Sequence, residues 1–513
     1  MKKNNENGSI SVFVIIVFIF YMTILMSLYW SSTNRQIAVL QSYQRIKEIY
    51  DKDVNNIEEI HKKLIDSKSE ILKEETDQTL NTLKSITADY DGEFWHYKDE
   101  IIKIVLENKL DPKAIDSKYI WDISERANRS VMAYYDSNSK TVYIQGDTKI
   151  YANPNSNFLF ANFTKLESIE GLEYLDTSQV ISMWTMFGNC TSLRTLDLSN
   201  FNTSRVVAMA NMFLNMTNLK TLDVSMFDTR QVTGMAGMFA YCSSLETLDL
   251  INFKTANVTN MDSMFIGMTN LKKLDISSFD TSRVTVMISV FSGCESLETL
   301  DLSNFNTSSV ITMNNMFVNM KNLKTLNVST FDTRQVTEMI GMFAYCPSLE
   351  TLDLKNFKTN NVVAMDNMFI GTTNLKELDI SSFDTSQVRS MSGMFYNMIG
   401  LTSLNLGDNF DTKNVANMES MFNGVTSLKN LDLGDKFDTS NVTNMTAMFN
   451  GMNQLTTLNL GNKFDVSSVT NCDYAFAIGS PSIKITVPNE TIKQFAINTS
   501  SKFLNESNFI IGS

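Results

Sequence analysis

Histidine, proline and cysteine are scarce in this 513-residue chain, at two, five and five residues respectively. Both histidines, His61 and His96, lie outside the repeated part described below, so no Ser-His-Asp arrangement can form there. No phosphate-cradling glycine loop and no cluster with metal-ligand spacing is present either. The reading is of a protein that is not an enzyme and needs no cofactor. The cysteines, Cys190, Cys242, Cys294, Cys346 and Cys472, include no CxxC pair. An odd number at wide, regular spacing is not the framework of a small disulfide-stapled secreted domain. Basic residues are outnumbered, with 43 Lys and Arg against 56 Asp and Glu and a net charge of −13. A chain this acidic lacks the basic face that displaces counterions, which argues against nucleic acid as a partner. Met is plentiful instead, at 31 residues, and its positions explain why.

Residues 9–30, SISVFVIIVFIFYMTILMSLYW, carry no charge, Pro or Gly. As a helix this run spans about 33 Å, enough for a bilayer core. It exceeds the apolar region of a cleavable signal, usually about 7–15 residues, and it ends in Tyr29-Trp30, which suit the headgroup zone. The expectation is an uncleaved transmembrane signal anchor, with residues 1–8 cytoplasmic and the carboxy-terminal remainder outside the cell. Lys2 and Lys3 favour this orientation, and Arg35 and Arg45 weaken it without reversing it. Gly8 also resembles a prepilin-type cleavage point, although Phe13 stands where pilins generally carry Glu. From 31 to 88 the chain reads as a polar helical stalk. An apolar stripe through Tyr43, Ile46, Tyr50, Val54 and Ile57 fits pairing with a second copy or folding back on itself. Residues 89–117 read as a helical junction, with His96 packed between Trp95 and Tyr97.

Internal repetition dominates the rest. Phe187, Phe213, Phe239, Phe265, Phe291, Phe317, Phe343, Phe369, Phe395, Phe422, Phe449 and Phe476 mark twelve units, stepping by 26 and, after Phe395, by 27. The unit is close to L-x-x-L-D-L-S-x-F-D-T-x-x-V-x-x-M-x-x-M-F-x-x-C/M. A longer period of four units is superposed, because residues 199–304 and 303–408 align over long stretches, as after duplication of a whole block. Alternation in L-x-x-L-x-L, as at Leu245, Leu248 and Leu250, predicts a short strand with its Leu face inward. The Phe that follows (Phe201, Phe227, Phe253 and onward to Phe464) predicts a stacked corner. Thr203 to Thr439 recur just after that corner, where hydroxyls can satisfy turn carbonyls. V-x-x-M-x-x-M-F shifts the period to three and predicts a short helical turn with Val232, Met235, Met238 and Phe239 inward. Met-x-x-Met also suits copper(I), but pairs at inward positions beside Phe read as core packing. Stacked coils lie about 4.8 Å apart. Cysteines recurring every second unit are then about 9–10 Å apart, beyond the roughly 7 Å Cα limit of a disulfide, and are expected free and buried.

The columns L-x-x-L-D-L-S-x-F-D-T-S-x-V and M-x-x-M-F-x-x-C resemble the BspA-like leucine-rich repeats of bacterial surface proteins, over about residues 118–490. WDISERANRSVMAYYDSNSKTVYIQGDTKIYANPNSNFLF is similar to the β-rich lead-in of such proteins, and SIKITVPNETIKQFAINTSSKFL to their closing strand and helix. The resemblance implies an α/β repeat solenoid, a right-handed leucine-rich coil of about twelve units over 175–478. A β-rich cap over 118–174 precedes it and a second cap over 479–513 closes it. It also implies surface display, adhesion and capture of proteins on host or neighbouring cells. No carboxy-terminal sorting motif or wall-binding module is found, so membrane attachment would rest on the amino-terminal helix, and homo-oligomer formation on the stalk. The alternative is a pilin-like subunit or structural stalk.

The residues expected to meet a protein partner are the outward ones of the strands. One column holds Thr195, Thr221, Thr247, Lys273, Thr299 and Glu377. The next holds Asp197, Asp223, Asp249, Asp275, Asp301, Asp353, Asp379 and Asp432, interrupted by Asn327, Asn405 and Asn459. Carboxylates stacked one coil apart repel each other, and something must offset that. The candidates are hydrogen bonds to their own turns, a basic partner surface, or a cation, though no calcium-loop motif accompanies the column.

Overall fold

The structure, a computed structural model, describes residues 81–110 and 117–512. The expected transmembrane segment at 9–30 and the stalk up to residue 80 lie outside the described residues. Among the described residues no helix is long and apolar enough to cross a membrane.

From residue 155 onward the chain winds in coils that stack with like residues in register. Asn155, Ser182, Ala208, Gly234, Asn260, Val286 and their successors to Asn471 form an unbroken row of parallel bridges, one per coil. The inward side chains are those the repeat predicts: Val232, Met235, Met238 and Phe239 are all fully buried. The marker phenylalanines stack coil on coil from Phe160 to Phe476, with ring centroids 5.0–6.1 Å apart. The corner phenylalanines form a second row, 6.2–6.4 Å apart where their rings stack. Fully burying one such side chain stabilises by roughly 1.5–3 kcal/mol, so the two rows account for much of the cohesion between coils.

Threonine locks the corner. Thr203 Oγ1 donates to Asp228 O of the next coil at 3.1 Å and accepts from Asp228 N–H at 2.7 Å. Thr229 does the same with Lys254, Thr255 with Asp280 and Thr307 with Asp332. A hydroxyl both donates and accepts, so one buried side chain satisfies two backbone groups that would otherwise be orphaned.

The segment after this corner corrects the expectation of a helical turn. V-x-x-M-x-x-M-F is a chain of tight turns, and the described repeat coils contain no α-helix. Asn211 and Asn215 adopt positive φ of 56° and 57°, which breaks any helical run. The freed groups bond between coils instead. Met209, Asn211, Phe213 and Asn215 N–H donate to Gly234, Ala236, Met238 and Ala240 O at 3.2, 2.8, 3.0 and 2.7 Å. The three-residue spacing arose from turns and not from helical periodicity, so these coils are not α/β units.

The strands are short. In chain order they are β1 Lys103–Glu107, β2 Ile120–Asp122, β3 Val131–Asp136, β4 Thr141–Gly146, β5 Ile150–Tyr151, β6 Ser168–Glu170 and β7 Leu175–Asp176. The repeats supply β8 Thr195–Leu196, β9 Thr221–Leu222, β10 Thr247–Asp249, β11 Lys273–Asp275, β12 Thr299–Asp301, β13 Thr325–Asn327, β14 Glu377–Asp379, β15 Ser403–Asn405, β16 Asn430–Asp432 and β17 Thr457–Asn459. The closing segment holds β18 Lys484–Val487, the helix α1 Glu490–Asn498 and β19 Phe509–Ile511, the strand-then-helix order expected for 479–513.

The amino-terminal cap is a sheet in the order β2-β3-β4-β1-β6. It corrects three boundaries. Residues 81–88 are not helical, since Thr82 and Leu83 bridge to Tyr151 and Ser124. The junction at 89–117 holds only a 3-10 turn at Glu93–Tyr97 before β1 pairs in parallel with β4 and β6, so it belongs to the cap. Conversely, the predicted cap already contains a coil, because Phe160 stacks on Phe187 at 5.6 Å. Strand β6 serves both parts, closing the cap sheet and standing one coil before β8.

Candidate protein-binding surface

The repeat strands turn their Leu inward and expose the residues beside it, as in β10 and β12, with Leu274 of β11 and Leu404 of β15 only half-buried. This alternation places Thr195, Thr221, Thr247, Lys273, Thr299 and Glu377 in one exposed column. Asp197, Asp223, Asp249, Asp275, Asp301, Asp353, Asp379 and Asp432 form a second. Strand pairing fixes the alignment, with Thr247 opposite Lys273 and Asp249 opposite Asp275. The expected residues are thus brought together on one wall.

The structure also shows what steadies the carboxylates. The N–H groups of Ser199, Ser225, Ile251, Ser277, Ser303, Lys355, Ser381 and Gly434 donate to Oδ1 of these eight Asp residues, two positions earlier in each case, at 2.9–3.1 Å. Such turns explain why Asp or Asn stands at the end of each strand from β10 to β17. Hydrogen bonds from the turn hold Asp197, Asp223, Asp275, Asp301 and Asp379 below the usual carboxylate range, and Lys355 does so for Asp353. Repulsion from the neighbouring carboxylate is the smallest influence on Asp197 and Asp379, so the turn wins over the column. The interrupting Asn residues help, since Asn327, Asn405 and Asn459 Nδ2 donate to Asp301, Asp379 and Asp432 at 3.0–3.1 Å. Among the described residues no group of His, Cys, Asp and Glu is arranged to hold a metal ion.

A third outward column escaped the sequence reading. Arg194, Lys220, Glu246, Lys272, Glu298, Lys324, Glu350 and Lys376 stand one residue before Thr195 and its equivalents, all exposed. Their signs alternate from Lys220 on, and Lys272–Glu246 and Lys324–Glu298 pair between coils at 2.7 and 2.9 Å. The signal was present as SLE after Cys242, Cys294 and Cys346 against NLK after Met216, Met268 and Met320. A shallow cleft of about 410 Å³ opens between the coils of β11 and β12, lined by Lys273, Asp275, Thr299 and Asp301 among others.

The five cysteines are free. Burial pushes the thiols of Cys190, Cys242, Cys294 and Cys346 up to about 12, so they are inert protonated core residues.

Four overlapping stretches, residues 155–249, 242–325, 318–429 and 401–505, match the family model described as "Mycoplasma protein of unknown function, DUF285". No curated protein matches the chain. Similar solved structures include a leucine-rich repeat protein from Bacteroides ovatus ATCC 8483, 15% identical, with 65% of this chain and 88% of that one covered and a TM-score of 0.34. A leucine-rich cell surface protein from Faecalibacterium prausnitzii A2-165 is 17% identical, covering 72% and 97%, with a TM-score of 0.29. A leucine-rich repeat protein from Eubacterium ventriosum ATCC 27560 is 15% identical, covering 71% and 95%, with a TM-score of 0.27.

Proposed function

Since the chain belongs to the family described as "Mycoplasma protein of unknown function, DUF285" and carries BspA-like leucine-rich repeats, we propose that it is a cell-surface adhesin whose strand wall captures proteins on host or neighbouring cells. One observation carries the reading. The strand wall offers three exposed columns of Thr, Asp and alternating charge in fixed register, while the hydroxyls of the corner and the thiols of the core are spent inside the stack. A broad, regular, polar surface of this kind suits contact with a macromolecule over many coils, and its charge pattern favours a partner with basic side chains opposite the Asp column. Attachment through residues 9–30 is part of the proposal and rests on their apolar sequence alone.

Binding is tested with the full chain in detergent against immobilised extracellular-matrix and cell-surface proteins. Replacing Asp249, Asp275 and Asp301 together by Asn should weaken capture at least tenfold and flatten its salt dependence. Undiminished binding of the triple variant would remove the Asp column from the site. Mass spectrometry of the mature protein tests the anchor. An intact start at Met1, with retention in carbonate-washed membranes, supports it, whereas a start at Ser9 would favour the pilin-like assembly component.

A further inference from the structure

The strand wall is not one sheet. Strands β8 and β9 pair with each other, as do β10 with β11, β12 with β13, and β14 with β15, while β16 to β19 form one sheet. No pairing joins β6 to β8, β9 to β10, β11 to β12 or β15 to β16, and the coil at Thr351–Leu354 forms no strand. The residue just before each strand reports the same division. Lys220, Lys272, Lys324, Thr402 and Thr456 N–H donate to the preceding coil at 2.7–3.0 Å. Of the equivalent N–H groups at the unpaired junctions, those of Arg194, Glu246, Glu298, Lys376 and Lys429 make no such bond, and Glu350 N–H makes only a longer one, 3.3 Å to Lys324 O. The opposite wall is bonded at every coil, so the interruptions are confined to the outward strand face.

The interruptions follow a buried column. Cys190, Cys242, Cys294 and Cys346 Sγ each donate to the carbonyl of a Phe in the preceding coil (Phe160, Phe213, Phe265 and Phe317) at 2.9–3.2 Å. Thr372, in the same column, donates to Phe343 O at 2.9 Å. Each of these donors spans a junction whose strands do not pair. At the junctions below β9, β11, β13, β15 and β17, which do pair, the column holds Met216, Met268, Met320, Met398 and Met452, with no hydrogen to donate. One unpaired junction, below β16, has Val425 instead of a donor. Val425 has no hydrogen to donate, so a cause other than this column opens that junction.

We propose that this core column sets the hydrogen bonding of the outward wall: a thiol or hydroxyl bonded to the carbonyl below leaves a seam between strands, and Met closes it. The 52-residue alternation of Cys and Met thereby divides the coils of β8 to β13 into two-coil tiles. At the seams preceding β8, β10, β12, β14 and β16 the N–H groups of Arg194, Glu246, Glu298, Lys376 and Lys429 make no main-chain bond to the coil below, and the 410 Å³ cleft lies at the seam between β11 and β12. An extended partner segment crossing the wall would find main-chain partners only there. That use rests on the proposed binding role, whereas the seam does not.

Site-resolved amide hydrogen exchange on the intact chain tests the proposal without any partner. Lys272 and Lys324 amides should exchange at least tenfold more slowly than Glu246 and Glu298. Cys294→Met should slow Glu298 toward the Lys272 rate, and Cys294→Ser, which keeps a donor, should leave it fast. Met320→Cys should conversely speed Lys324, with Met320→Leu as the control that removes bulk without adding a donor, so the proposal is decided even if Cys294→Met does not fold. Equal exchange at Glu298 and Lys272 in the unmodified chain would overturn it. So would a Lys324 amide that Met320→Cys and Met320→Leu affect alike.

Discussion

Asp262 and Asp366 occupy the same position in the two copies of the four-coil block, 104 residues apart, and their surroundings differ. Asp366 accepts from Ser390 Oγ and from Ser392 N–H. At the positions equivalent to those serines the first block has Val286 and Ile288, and the Asp262 side chain is bonded by Ser263 Oγ at 2.7 Å. Burial pushes its carboxyl up to about 6 in spite of that bond. Duplication preserved the scaffold and let the polar fittings drift. A buried carboxylate is tolerated where neighbouring coils supply donors and is costly where they do not.

The same comparison ranks the consequences of mutation. The core should be indifferent to which copy is damaged: Phe265→Ala and its equivalent Phe369→Ala should each cost about 3–5 kcal/mol, read from denaturant unfolding. Unequal losses would show that the copies differ in packing as well as in polar groups. Asp262→Asn should stabilise at neutral pH by on the order of 1–3 kcal/mol. The folded state holds the Asp262 proton up to about pH 6, while the unfolded chain releases it near 3.9. Folding therefore binds a proton between those values, and this contribution to stability is lost as pH rises through the window. The variant should remove that slope, whereas Asp366→Asn should not stabilise. Thr281→Val and Thr385→Val remove equivalent corner hydroxyls and should each cost about 1–2 kcal/mol, because a backbone group is left unpaired. Smallest is Asp379→Asn on the exposed wall, a few tenths of a kcal/mol by the usual size of surface substitutions. Its carboxyl is held low by the turn, so its contribution is present above pH 3.9 and fades as pH falls below it. Thermal melts at pH 7 and pH 3 resolve both signs.

Much of this architecture was legible because stacking converts sequence period into spatial columns. Val232, Met235, Met238 and Phe239 point inward as the repeat predicts, and the cysteines are free for the reason their spacing gave. The wall opposite the strands was misread because Met-x-x-Met-Phe places inward residues three apart both in a helix and in a chain of turns. The discriminating signal lay in the positions that turn left-handed, Asn211 and Asn215, and Gly237 and Tyr241 in the next coil. The cap was misread for a different reason. Lys103–Glu107 is strand only because β4 and β6 flank it, and tertiary pairing of that kind outweighs local preference. On the outward wall, Thr and Asp were visible as columns, but the alternating charges before them were hidden by reading one unit at a time.

Coils stacked at constant spacing underlie the outward wall, and spin-label distances between outward threonines measure that spacing directly in a Cys472→Ser background, since the other four native thiols are buried and leave only introduced cysteines to react. Labels at Thr247 and Thr351, four coils apart, should lie about 19 Å apart, and labels at Thr247 and Thr457, eight coils apart, close to twice that, at roughly 4.8 Å per coil. Distances that fail to grow with the number of intervening coils would contradict the stack, and with it the proposal that its outward wall binds a partner.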